Sequence, residues 1–227
     1  MDMKVMPITD GWHGLWNRIG AQSHGAWDVY LELFEKYTQR HRYYHMFPHI
    51  LHMLKEFEEI KHLCIQPNAV EMAIYFHDET YDPAANDNEE KSAARAKTKL
   101  DSARLPEPGS QAFIHEVVRL IMLTKKHETI PEDVDGSLLL DIDLSILGQQ
   151  ENISDTYEHN IWKEYVYEGV VSDVMFAERR ADILRKFLKR KFIYQTPYFW
   201  TKYEKKAREN LQRSVRQLDG KRNLVAV

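Results

Sequence analysis

Apolar residues recur at three- and four-residue spacing through most of the chain, and no stretch alternates apolar with polar residues as a half-buried strand would. The fold class that follows is all-α, a helical bundle. Between Ala26 and about Tyr37, the residues Trp27, Tyr30, Leu31 and Phe34 make one amphipathic face. A second helix, about His45 to Leu63, turns Ile50, Leu51, Leu54, Phe57 and Ile60 inward. It tolerates Pro48 only near its start, because the first N–H groups of a helix have no internal partner. Asn68 followed by Glu71 has the spacing of a capping box and opens a third helix, Ala69 to about Asp78. Asn88 caps a helix through Leu100, Ser110 opens another through Ile121, and Ser137 to Leu147 form one that Gly148 stops. Two or three longer helices follow, roughly Ser154–Glu168, Asp173–Tyr194 and Tyr198–Leu218, before a tail that frays. With no internal repeat, low-complexity segment or linker, residues 1–227 read as a single domain with its core at about 26–215.

Composition narrows the class of function. Lys plus Arg number 31 against 35 Asp plus Glu, a formal charge of −4. That balance argues against a nucleic-acid polymer as partner, though a nucleotide could still be held by local arginines. Cys64 is the single cysteine, so no intrachain disulfide forms. Met1-Asp2-Met3-Lys4 does not open a signal peptide, and no apolar run approaches 18 residues, so the expected location is the cytoplasm, away from membranes. Tyr198, Phe199 and Trp200 belong either to the core of the last helices or to the contact of a homo-oligomer.

The chemistry concentrates in two places. Phe76-His77-Asp78 sets an imidazole beside a carboxylate at the end of an apolar run, and Arg42-Tyr43-Tyr44-His45 with His49 brings further imidazoles to a helix start. A carboxylate withdrawn from water needs a cation or several donors. A third contribution is expected from Asp141-Ile142-Asp143. Residues two apart on a helix project about 200° from each other, so only one can face a given interior point. Asp143 has Leu139, Leu140, Ile146 and Leu147 at helical spacing and is the expected buried carboxylate, with Asp141 a cap or a near-surface group. His45, His77, Asp78 and Asp143 together form a mixed set suited to Mn, Fe, Zn, Co or Mg.

The order of these residues resembles the HD superfamily of metal-dependent phosphohydrolases. The likeness rests on Arg42-Tyr43-Tyr44-His45 with His49, Phe76-His77-Asp78, Tyr81-Asp82-Pro83, Asn88 to Ala93, and Asp141 to Gly148. It implies a single-domain helical bundle with His45, His77, Asp78 and Asp143 as metal ligands. It also implies hydrolysis of a small phosphorylated substrate, nucleotides among the candidates, by a metal-activated water. Asp82 matches an acidic position that assists catalysis in some members, although Tyr81 replaces the first of that acidic pair, and Asp82-Pro83 also reads as a simple turn. Glu89 is a second candidate for orienting the water, or a residue that favours a helix N-terminus. His49 could serve as an extra ligand, a phosphate contact or a support for a ligand, and Arg42 with Arg180 could neutralise phosphate. His127 resembles a second-metal position without its companion histidine. From another class of function, the same residues suit a non-catalytic metal-containing binding or regulatory domain.

Overall fold

The structure, a computed structural model, describes residues 6–21 and 25–225. Its regular elements among those residues are helices, with no strand. Two compact units divide the chain, Met1–Gln39 with His45–Leu139, and Arg40–Tyr44 with Leu140–Val227. No helix of the described residues is long and apolar enough to cross a membrane. The residues read as lacking a signal peptide, 1–4, and the last two of the tail, 226–227, lie outside the described part.

The first unit contains α1 (Met6–Arg18), α2 (Ala26–Tyr37), α3 (Phe47–Ile60), α4 (Pro67–Phe76), α5 (Asn88–Ser102) and α6 (Ser110–Thr124). It is built around α4. Every residue from Ala69 to His77 is at most 7% exposed, because the sequence is apolar on all sides and must be covered all round. Contacts with α1, α3, α5 and α6 provide that cover. The two polar residues near its start are met by α1: Arg18 Nε donates to Asn68 Oδ1 at 2.9 Å, and the Arg18 guanidinium pairs with Glu71. The expected capping box is therefore absent; Gln66 is the N-cap and Pro67 begins the helix. Helix α1 has a legible signal in Trp12, Leu15 and Trp16, all at most 1% exposed. On α2 the buried stripe is Ala26, Val29, Tyr30, Leu33 and Tyr37, while Leu31 and Phe34 are exposed, so the expected face is rotated. Tyr37 fixes that orientation by donating its hydroxyl to Tyr75 O at 3.0 Å. Leu51 likewise turns outward on α3, where Met53 takes its place in the core.

Helix α7 (Val134–Leu144) ends in a 3-10 turn, Ser145–Gly148. The second unit continues with α8 (Glu151–Trp162), a π-helical turn at Lys163–Tyr167, α9 (Asp173–Lys189) and α10 (Pro197–Val225). Gly148 serves close packing: a Cβ there would lie 2.5 Å from Tyr203 Cβ on α10. Asn210 on α10 donates to Leu147 O and Gln149 O, both at 2.8 Å, satisfying carbonyls at the end of that turn.

Carboxylates anchor the irregular segments. Glu204 accepts from Ile193 N and Tyr194 N, and Asp141 accepts from Gln195 N and Thr196 N, so four consecutive amides are spoken for. Arg208 donates to the carbonyls of Leu188, Arg190 and Lys191. These partners, remote in sequence, end α9 at Lys189, where helical periodicity alone continues to Tyr194. Glu164, fully buried in the π-helical turn, accepts from Tyr43 N and Tyr44 N at 2.8 Å each. In the first unit Asp135 does the same for Ile65 N and Gln66 N.

The burial expected for Asp143 belongs to Asp141. Asp141 is 0% exposed and Asp143 is half-buried. Periodicity misassigns them because Leu138, Leu139, Leu140 and Ile142 are all buried, leaving α7 without a solvent face to set the phase. Burial pushes the Asp141 carboxyl up to about 7, against the hydrogen bonds from Gln195 and Thr196 that favour its charge. An unfolded Asp releases its proton near pH 4. Between about pH 4 and 7 the folded chain therefore holds a proton that the unfolded chain has lost, and this group's contribution to stability falls as pH rises through that window. Urea unfolding at steps from pH 4 to 8 is expected to show this slope, and Asp141→Asn to flatten it while costing about 1–3 kcal/mol, since its amide meets N–H donors.

Candidate metal centre

Because α4 is packed all round, whatever follows it is delivered to the interior. His77 is its C-cap, its N–H bonded to Ala73 O at 2.9 Å. His77 Nδ1 lies 3.0 Å from Ile74 O, and since a carbonyl only accepts, Nδ1 carries a proton, so that in the neutral ring Nε2 is the nitrogen with a lone pair. From the first turn of α3, where Pro48 leaves the chain free to start a helix, His49 brings its Nε2 to 3.2 Å from His77 Nε2. Asp78 Oδ2 lies 3.0 Å from His77 Nε2 and 3.7 Å from His49 Nε2. Both imidazoles are 1% exposed in their side chains and Asp78 is 16% exposed.

These three residues could hold a metal ion. The physical reason is the sign of what converges. A neutral His77 with its proton on Nδ1 turns electron density toward a carboxylate oxygen and a second ring nitrogen, and a shared positive charge relieves that. The spacing fits as well. Bonds of about 2.1 Å place neighbouring ligand atoms about 3.0 Å apart at right angles and about 3.4 Å apart at tetrahedral angles. Burial would raise the Asp78 pKa, but positive charge on the His77, His45 and His49 rings, carried when they are protonated, holds the carboxyl well below the usual range, and a cation bound among neutral rings would act in the same direction.

The expected residues distribute as follows. His49 is the imidazole that meets His77. His45 stacks on Tyr81, centroids 4.2 Å apart, with its ring 6.1 Å from that of His49, and it acts on the Asp78 carboxylate while the three mutually close ligand atoms are those of His49, His77 and Asp78. Asp82 is exposed and accepts from Ala84 N at 2.9 Å, the turn that Asp-Pro chemistry allows. Glu89 is half-buried in the first turn of α5. His127 follows α6 with a φ of 50° and is not part of the cluster.

Arg42, Asp143 and Arg180 belong to the second unit. Arg42 is 3% exposed. Arg180 is engaged there: its guanidinium meets Glu158 at 2.8 and 3.0 Å and the Tyr157 hydroxyl at 2.8 Å. Of the C-terminal aromatics, Phe199 is core at 0% exposure and Trp200 is exposed at 45%. Cys64 is half-buried near Asp135, and burial pushes its thiol up to about 12, so it offers no thiolate ligand at neutral pH.

In the sequence His49, four residues after His45, is open to three roles, an extra ligand, a phosphate contact or a support for a ligand, and the fold places it with His77 and Asp78. Which of the two rings meets His77 depends on how α3 is rotated, and that is a property of packing. Comparison with protein-family models, with curated proteins and with solved structures finds no match.

A divalent ion that binds the folded chain alone stabilises it, by about 2.7 kcal/mol at a hundredfold excess over Kd. Differential scanning fluorimetry with Zn²⁺, Mn²⁺ or Co²⁺ is expected to raise the melting temperature of the wild type by several degrees. His49→Ala and Asp78→Ala are each expected to abolish that rise.

Proposed function

We propose that the chain is a metal-dependent phosphohydrolase acting on a small phosphorylated substrate, nucleotides among the candidates. The observation that supports this most is the convergence of His49 Nε2, His77 Nε2 and Asp78 Oδ2 within 3.0–3.7 Å at a largely buried point. Two neutral imidazoles and one carboxylate leave a divalent ion with net positive charge, which attracts a phosphate. They also leave coordination positions for water and substrate, as catalytic sites require. Two nitrogen ligands favour Zn, Fe, Co or Mn over Mg. When bound, such an ion lowers the pKa of water toward neutrality and polarises a phosphoryl oxygen.

The chain's own residues supply the rest. The Ile74 carbonyl holds His77 in the tautomer that leaves Nε2 available and raises its basicity. His49 and His77, both 1% exposed, keep bulk water from that side, so substrate approaches past Asp78, the partly exposed member. Glu89 is the acidic candidate for orienting a water, since the Asp82 carboxylate is engaged in its turn.

The burial of both imidazoles also favours a second reading, a non-catalytic domain that keeps its metal for stability or ligand sensing. Turnover separates the two. Protein reconstituted with each metal in turn is expected to release phosphate from p-nitrophenyl phosphate or from members of a nucleotide panel. Chelation or Asp78→Ala is expected to reduce the rate at least a hundredfold, with loss of bound metal measured by elemental analysis. Full metal occupancy with no release from any substrate would decide for the non-catalytic domain.

A further inference from the structure

The stretch that follows His77 has no regular secondary structure, yet two of its residues are fastened at both backbone groups. Ser92, fully buried in α5, accepts the Thr80 N–H at 3.0 Å and directs its hydroxyl to the Thr80 carbonyl at 3.4 Å. Asn88 lies one helical turn earlier on the same face of α5 and treats Asp82 in the same way. Its Oδ1 accepts the Asp82 N–H at 3.0 Å, and its Nδ2 donates to the Asp82 carbonyl at 2.9 Å. Arg95, three residues beyond Ser92, brings Nε to 3.4 Å from the buried Glu79 carboxylate, which also accepts the Thr80 hydroxyl at 2.7 Å. Side chains of one helix thus take the place of a neighbouring strand, pairing alternate residues as an antiparallel ladder does. On the other side, His77 is tied back to Ala73 and Ile74. Asp78 is suspended between the two anchorages.

We propose that Asn88 and Ser92 are positioning residues for the metal-binding carboxylate. By holding Thr80 and Asp82 at both N–H and C=O, they restrict the backbone that carries Asp78, so that Oδ2 stays within reach of His77 and His49. A carboxylate on an unanchored bend would sample several directions, and a metal site loses affinity when a ligand is displaced by about half an ångström. The proposal rests on the reading of His49, His77 and Asp78 as a metal site. It gives a purpose to the Asn88-Glu89-Glu90-Lys91-Ser92-Ala93 stretch: residues four apart are the ones whose side chains meet alternate residues of a strand laid along the helix.

The test is a Co²⁺ titration of chelator-treated protein, read by visible absorption, with thermal melts of the same samples. Ser92→Ala and Asn88→Ala are each expected to weaken Co²⁺ binding about tenfold or more, the usual effect of losing a group that orients a ligand, and to alter the absorption bands. Ala96→Gly weakens the same helix without touching the strap. It is expected to lower the melting temperature while leaving Co²⁺ affinity and spectrum unchanged. Should Ser92→Ala fail to fold, Asn88→Asp keeps the acceptor for the Asp82 N–H but loses the donor to its carbonyl, and an intermediate loss of affinity is expected. Wild-type affinity and spectrum in the folded strap variants would overturn the proposal. A wild type that binds no Co²⁺ would overturn the metal reading itself and the proposal with it.

Discussion

A carboxylate taken out of water must be met by donors or by a cation, and much of this chain's irregular structure follows from how that requirement is satisfied. Asp135, Asp141, Glu164 and Glu204 are each at most 8% exposed, and each accepts from two consecutive backbone N–H groups. One arrangement solves two problems together, because the amides of a non-helical segment also need partners. Asp78 is different. Its neighbours are the rings of His77, His45 and His49, groups whose charge depends on what they bind. Burial alone therefore does not mark a candidate metal ligand; the type of partner does.

That distinction explains what could be read from the chain. The helical class was legible because periodicity of three and four runs through nearly every segment. The His77-Asp78 pair was legible because it follows the apolar run Met72 to Phe76, every residue of which is buried. The choice between Asp141 and Asp143 was not legible. It assumed that α7 has an inside and an outside, and residues buried on every side of it remove that premise. The division of roles between His45 and His49 was hidden for a related reason: residues four apart share a helix face, and only the packed orientation of α3 decides which one meets His77.

Helix ends were the other blind spot, again through partners remote in sequence. Asn68 and Glu71 have capping-box spacing but turn to Arg18, fifty and fifty-three positions away. The end of α9 is set by Glu204, Arg208 and Asp141. Local propensity proposes where a helix can stop, and tertiary donors and acceptors choose among the proposals.

The segment between α9 and α10 shows that irregular backbone and mobile backbone are separate properties. The amides of Ile193, Tyr194, Gln195 and Thr196 point at carboxylate oxygens where a surface loop would offer them to solvent. Their protons can trade with water only when Asp141 or Glu204 lets go, which ties exchange in this turn to opening of the surrounding core. A probe of backbone protection would thus class these residues with the helices they join.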